Sequence, residues 1–121
     1  MDAELLQGFI AEAESYLPEI FENIAVYLED SAQTENLRKV QGKISTIKGA
    51  AAMTGLEEVS IAGGELEQII TNVLTDQNLP TEEQINNLIE KTSRFEAVLK
   101  TAKENIGEFS NDGSEMDFSA F

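Results

Sequence analysis

Ile44-Ser45-Thr46-Ile47-Lys48-Gly49-Ala50-Ala51-Ala52-Met53-Thr54-Gly55-Leu56 is the stretch around which the rest of the chain is organised. It is apolar at helical spacing, yet it carries Lys48, Gly49 and three consecutive alanines. A glycine inside a helix costs about 1 kcal/mol relative to alanine. A small-residue strip beside a lysine fits a surface that something else approaches closely. It also fits two helices of the same chain packing tightly. Orientation separates the two readings. Exposed Ser45, Lys48 and Gly49 favour docking, whereas burial against Gly63-Gly64 favours internal packing.

Leu37, Val40, Ile44, Ile47 and Ala51 recur at spacings of three and four, which predicts a helix over about 35–53 with these residues inside. Thr34 is the expected N-cap and Gly55 the expected left-handed stop. Gln41, Ser45, Lys48 and Ala52 follow the same spacing on the other side. Ser45 therefore projects away from the core, one turn from Lys48.

Upstream, Leu5, Phe9, Ile10, Ala13 and Tyr16 predict a helix over about 2–16. Pro18 then allows either a new helix from Leu17 or a bend in one long helix. Ile20, Phe21, Ile24, Val26, Tyr27 and Leu28 extend the apolar stripe to about residue 29. Downstream, Leu56 to Leu74 carry a broad apolar face interrupted by Gly63-Gly64, a pair expected to mark close contact with a backbone or a partner. Thr81 and Gln84 fit a capping box that opens a last helix. That helix is expected to run to about Asn105 through Leu88, Thr92, Phe95, Leu99 and Ile106.

The expected fold is all-α: an antiparallel four-helix bundle over residues 1–106 with an additional N-terminal helix packed across one end. An acidic flexible tail or linker is expected over 107–121.

The 121 residues suffice for one core. The net charge is −15, from 23 acidic and 8 basic residues. It argues against nucleic acid and membranes as partners; it suits a partner with a basic surface, but acidity is also a common solution to solubility, and charge alone favours that plainer reading. Cysteine and histidine are both absent. This excludes disulfides, thiolate or imidazole metal sites, Ser-His-Asp catalysis and phosphohistidine chemistry. Glu57, Glu58, Glu65 and Glu67 cluster in sequence, but di-iron bundles pair glutamates with Glu-x-x-His, so no metal and no cofactor are expected. No signal peptide or membrane-spanning run is seen, which gives a cytoplasmic expectation.

Ser45-Thr46-Ile47-Lys48-Gly49-Ala50-Ala51, followed by Gly55-Leu56, resembles the His-x-x-Lys-Gly signature of histidine phosphotransfer domains. It looks most like the N-terminal domains of CheA-type histidine kinases and their cyanobacterial and type-IV-pilus relatives. The opening Phe9-Ile10-Ala11-Glu12-Ala13-Glu14-Ser15-Tyr16-Leu17 adds to this likeness. The resemblance covers about residues 5–105. It implies a bundle that docks a response-regulator receiver domain, a histidine kinase catalytic domain or both, within a phosphorelay. It assigns phosphoryl binding to Lys48, room for the incoming receiver to Gly49, and a hydrogen bond to the acceptor to Glu67, 22 residues after position 45.

The departure falls on the acceptor itself, where the family has histidine and this chain has Ser45. Three explanations follow: a binding-only pseudo-phosphotransfer module, a serine acceptor, or a histidine replaced by design. Chemistry favours the first. A serine hydroxyl needs an adjacent base, an ordinary carboxylate is a poor one, and a phosphoserine ester would not relay its phosphate as readily as phosphohistidine. The expected module is non-catalytic and docks partners over Gln41, Ser45, Lys48, Gly49, Ala52, Gly64 and Glu67. A plain helical adaptor unrelated to phosphorelay is the rival reading.

Overall fold

The structure, a computed structural model, describes residues 3–76 and 79–115. Five helices follow one another: α1 (Ala3–Ser15), α2 (Leu17–Glu29), α3 (Thr34–Thr54), α4 (Glu57–Thr75) and α5 (Glu82–Glu115). No strand occurs among the described residues.

α1 and α2 are joined end to end through Tyr16, whose backbone stays near helical angles. The Tyr16 N–H donates to the Ala13 carbonyl at 3.1 Å, and the Ile20 N–H donates to the Tyr16 carbonyl at 3.0 Å. Pro18 lies in the first turn of α2, where its missing N–H costs nothing. The joint thus starts a new helix without turning the chain aside.

α1 does not lie across one end as an accessory. It packs on α5 while α2 packs on α3, so the joined pair forms one column of a four-column bundle. The apolar stripe explains this. Ile10, Ala13, Ile20, Ile24 and Tyr27 are all buried, with Leu17 packed against them, so a single seam crosses the joint.

α3 lies against α4 and α4 against α5. Gln41 bonds Thr71 while Lys48 bonds Glu67, so rising numbers on α3 meet falling numbers on α4 and the pair is antiparallel. The seam expected on α3 is all inside: Leu37, Val40, Ile44, Ile47 and Ala51 are buried. Val59, Ala62, Leu66 and Ile70 face them from α4, and Leu88, Phe95 and Leu99 complete the core from α5. Each large aliphatic residue removed from water contributes about 1.5–3 kcal/mol before the entropy cost of ordering the chain.

The helix ends show where local chemistry does and does not decide. Gly55 adopts φ +81°, and the Leu56 N–H reaches back to the Ala51 carbonyl at 2.9 Å, which closes α3 with a left-handed cap. At the start of α5, the Thr81 hydroxyl accepts the Gln84 N–H at 3.0 Å, and the Gln84 side-chain oxygen accepts the Thr81 N–H at 2.9 Å. Thr34, expected as an N-cap, is instead the first helical residue. Gln33 precedes it without a side-chain capping bond. A turn built on Asp30 delivers the chain: its carboxylate accepts the Ala32 N–H at 3.1 Å and its carbonyl accepts the Gln33 N–H at 2.9 Å.

α5 continues to Glu115, past the end expected near Asn105. Ile106 is its last buried residue among those whose burial is described. The expected end rested on the apolar stripe, which does not mark where helical backbone stops, and no proline interrupts the chain beyond it. Residues 116–121 of the expected tail lie outside the described residues.

Candidate functional site

The small-residue strip lies on the outer side of α3. Arg38, Gly42, Ser45, Gly49 and Ala52 are all exposed and follow spacings of four, three, four and three, which stacks them in one line. A Cβ added at Gly42 or at Gly49 would meet no atom within 4 Å. Neither glycine is therefore required by packing inside the bundle.

The glycine pair on α4 behaves differently. Gly63 is buried, and a Cβ there would come within 3.3 Å of Lys48 Cβ and 3.5 Å of Phe95 Cε1. Gly64 is half-buried, and its Cβ would meet Lys48 Cδ at 3.7 Å. The stem of Lys48 thus lies over both glycines. Both halves of the original choice apply, at different residues. The α4 glycines serve internal packing, the outer α3 glycine leaves open surface, and Lys48 spans the boundary.

Lys48 Nζ ends 2.5 Å from Glu67 Oε1, and both side chains are partly covered. One turn further along α4, Thr71 Oγ1 accepts a hydrogen bond from Gln41 Nε2 at 2.9 Å. Among the expected residues, Gln41, Lys48, Gly64 and Glu67 therefore line the α3–α4 seam, with Ser45, Gly49 and Ala52 beside them on the outer side.

The Ser45 hydroxyl makes no hydrogen bond among the described residues, and Glu67 is engaged by Lys48. No base among the described residues is hydrogen-bonded to Ser45 to activate it as a nucleophile. No group of three carboxylates among the described residues converges as a metal site. No helix is long and apolar enough to cross a membrane among those residues.

Several contributors escaped the sequence reading. Thr71 fixes Gln41, and it is four residues beyond Glu67, a spacing that could have revealed it. Gly42 continues the open line seven residues before Gly49. Met53 is 85% exposed and Ile61 52% exposed, although Ile61 reads as part of the apolar face. On the other flank, Lys43 Nζ sits 4.5 Å from the centre of the Tyr16 ring. The Tyr16 hydroxyl donates to Glu12 Oε2 at 2.8 Å. That hydrogen bond, and then the charge of Glu12, raises the Tyr16 pKa above the ordinary phenol value.

Beyond the C-terminal end of α3, Leu6, Leu56, Val59, Val98, Ala102 and Ile106 line an open cleft of about 370 Å³. None of the strip residues lines it.

Comparison with curated proteins gives no match, and comparison with solved structures gives none either. The family model of the FimL C-terminal domain matches residues 3–105, which takes in α1 to α4 and α5 as far as Asn105. FimL is a pilus chemotaxis-related protein. With most of its length matched, the chain belongs to the FimL C-terminal domain family.

Proposed function

We propose that this domain is a non-catalytic, cytoplasmic signalling adaptor of a pilus chemotaxis-like system. Its α3–α4 face docks a receiver domain, a histidine kinase catalytic domain or both, without carrying phosphate. The observation that carries this reading is the state of Ser45. It stands exposed in the middle of an open strip, with no base hydrogen-bonded to it among the described residues and with Lys48 and Glu67 already committed to each other. Such a face keeps room for a protein while lacking the group that would accept a phosphoryl. Transient signalling contacts of this kind are small, below about 1,200 Å² of buried surface. Neither nucleic acid nor a membrane belongs to this reading, in keeping with the charge of −15.

The test combines binding with labelling. Receiver and kinase catalytic domains of pilus chemotaxis-like systems are titrated into the ¹⁵N-labelled domain, and the perturbed amides are mapped. The expected shifts fall on residues 41–53 of α3 and 61–71 of α4. In parallel, the domain is incubated with a phosphorylated receiver, and with a CheA-type kinase and ATP. Acid-stable label lost in Ser45→Ala would replace the binding-only reading with a serine acceptor. No binding by either domain class would favour a plain adaptor.

A further inference from the structure

α3 stands apart from the rest of the chain in charge. Between Asn36 and Leu56 there are four basic residues, Arg38, Lys39, Lys43 and Lys48, and no carboxylate, in a chain of net charge −15. The other four basic residues, Lys91, Arg94, Lys100 and Lys103, lie on α5 interspersed with Glu90, Glu96 and Glu104. Three of those are paired across helices: Lys91 and Arg94 with Glu65 at 3.4 and 3.5 Å, and Lys103 with Glu14 at 3.1 Å.

Two of the α3 cations also serve the fold, Lys48 on Glu67 and Lys43 over Tyr16. The remaining two face outward. Among the described residues, Arg38 pairs only with Glu35 on its own helix, at 3.4 Å with both side chains more than half exposed. Lys39 is exposed and makes no ion pair among the described residues. Both sit near the N-terminal end of α3, where the helix dipole gives cations no advantage. The dipole therefore accounts for neither of them, and the i,i+3 pair with Glu35 occupies Arg38 only at an exposed, local contact.

We propose that the outer face of α3 receives an acidic protein surface. The partner's carboxylates meet Arg38 and Lys39, and its small or apolar side chains lie over the uncharged line to Ala52. This rests on the reading that α3 docks a protein, and adds the partner's chemistry. The whole-chain charge would suit a basic partner, but range decides against it. Beyond the Debye length of about 8 Å at physiological ionic strength, the distant carboxylates are largely screened. At contact, the partner meets the local charges of the face.

The probe is a poly-L-glutamate peptide added to the ¹⁵N-labelled domain at low ionic strength. Amide shifts should concentrate on residues 36–53 and fall several-fold at physiological salt. Arg38→Glu/Lys39→Glu should abolish them, while Lys100→Glu, with the same charge change as Lys39→Glu, should leave them largely intact. Circular dichroism establishes that each variant is folded. Shifts as strong on α5 as on α3, or shifts indifferent to the Arg38 and Lys39 reversals, would overturn the proposal. So would phosphatidylserine vesicles or a DNA oligonucleotide perturbing α3 more strongly than the peptide, which would indicate a phosphate binder. Receiver titration separates this from the docking reading. Receiver binding on α3 that ignores the charge reversals defeats the acidic-partner proposal alone. Peptide mapping to α3 with no receiver binding supports the proposal and defeats receiver docking.

Discussion

Lys48 Nζ lies 2.5 Å from Glu67 Oε1, and the same lysine stem covers Gly63 and Gly64, so one side chain joins α3 to α4 through both charge and packing. Removing the charge and removing the stem should therefore differ. Glu67→Gln keeps the stem in place and loses a partly exposed ion pair, worth up to about 1 kcal/mol. Lys48→Ala also uncovers the glycines and should cost more. Urea unfolding checks the order. Equal costs would mean that the stem contributes nothing.

The glycines give an opposed pair. Gly49→Ala meets open space, so the domain should gain about 1 kcal/mol, the ordinary helix preference of alanine over glycine. Gly63→Ala adds a methyl 3.3 Å from Lys48 Cβ and 3.5 Å from Phe95 Cε1. Crowding of this kind costs about 1–3 kcal/mol, enough to cancel or reverse the helix gain. Denaturation midpoints should rise for the first variant and not for the second. A similar rise in both would show that α3 and α4 can separate to admit the methyl.

What was legible in the sequence follows from which forces act locally. The buried seam of α3 and the Thr81–Gln84 box depend on periodicity and neighbouring residues, and both appear as expected. The different fates of Gly49 and Gly63 were not separable, because a glycine's neighbours across a helix pair are set by the rotation of the two helices. The same reason hid Thr71. Thr34 was misread because its type suits a cap, while the turn at Asp30 set the frame one residue earlier. The outer strip of α3 was legible as a line of small residues, and spacing alone turned Ser45 outward. The open space beside Gly42 and Gly49 required the packed bundle.

The two threonines offer a direct check on that point. Thr81→Ala removes a reciprocal cap and should cost about 1 kcal/mol. Thr34→Ala removes a helical residue that does no capping and introduces a better helix former, so it should cost nothing or gain a few tenths of a kcal/mol, on the order of the helix-propensity difference. Thermal unfolding of the two variants decides. A Thr34→Ala loss as large as that of Thr81→Ala would restore Thr34 as a cap.

The last prediction concerns alkaline pH. Without histidine, no side chain has its ordinary titration range near neutrality, so stability should vary little across it. Tyr27 is buried at 2% exposure, and burial raises its pKa above the ordinary phenol value of 10.0. Above that value the unfolded chain gives up the phenol proton while the folded chain still holds it. The folded state then binds more protons, so stability falls as pH rises. The contribution is fully present below pH 10 and is lost as pH climbs through the raised folded value. Tyr27→Phe removes the titrating group and keeps the ring in the core, so its urea midpoint should decline less steeply above pH 10 than that of the parent chain. Tyr16→Phe, which removes the phenol bonded to Glu12, should flatten the profile in the same direction. Parallel profiles for the parent and both variants would show that neither phenol sets the alkaline limit.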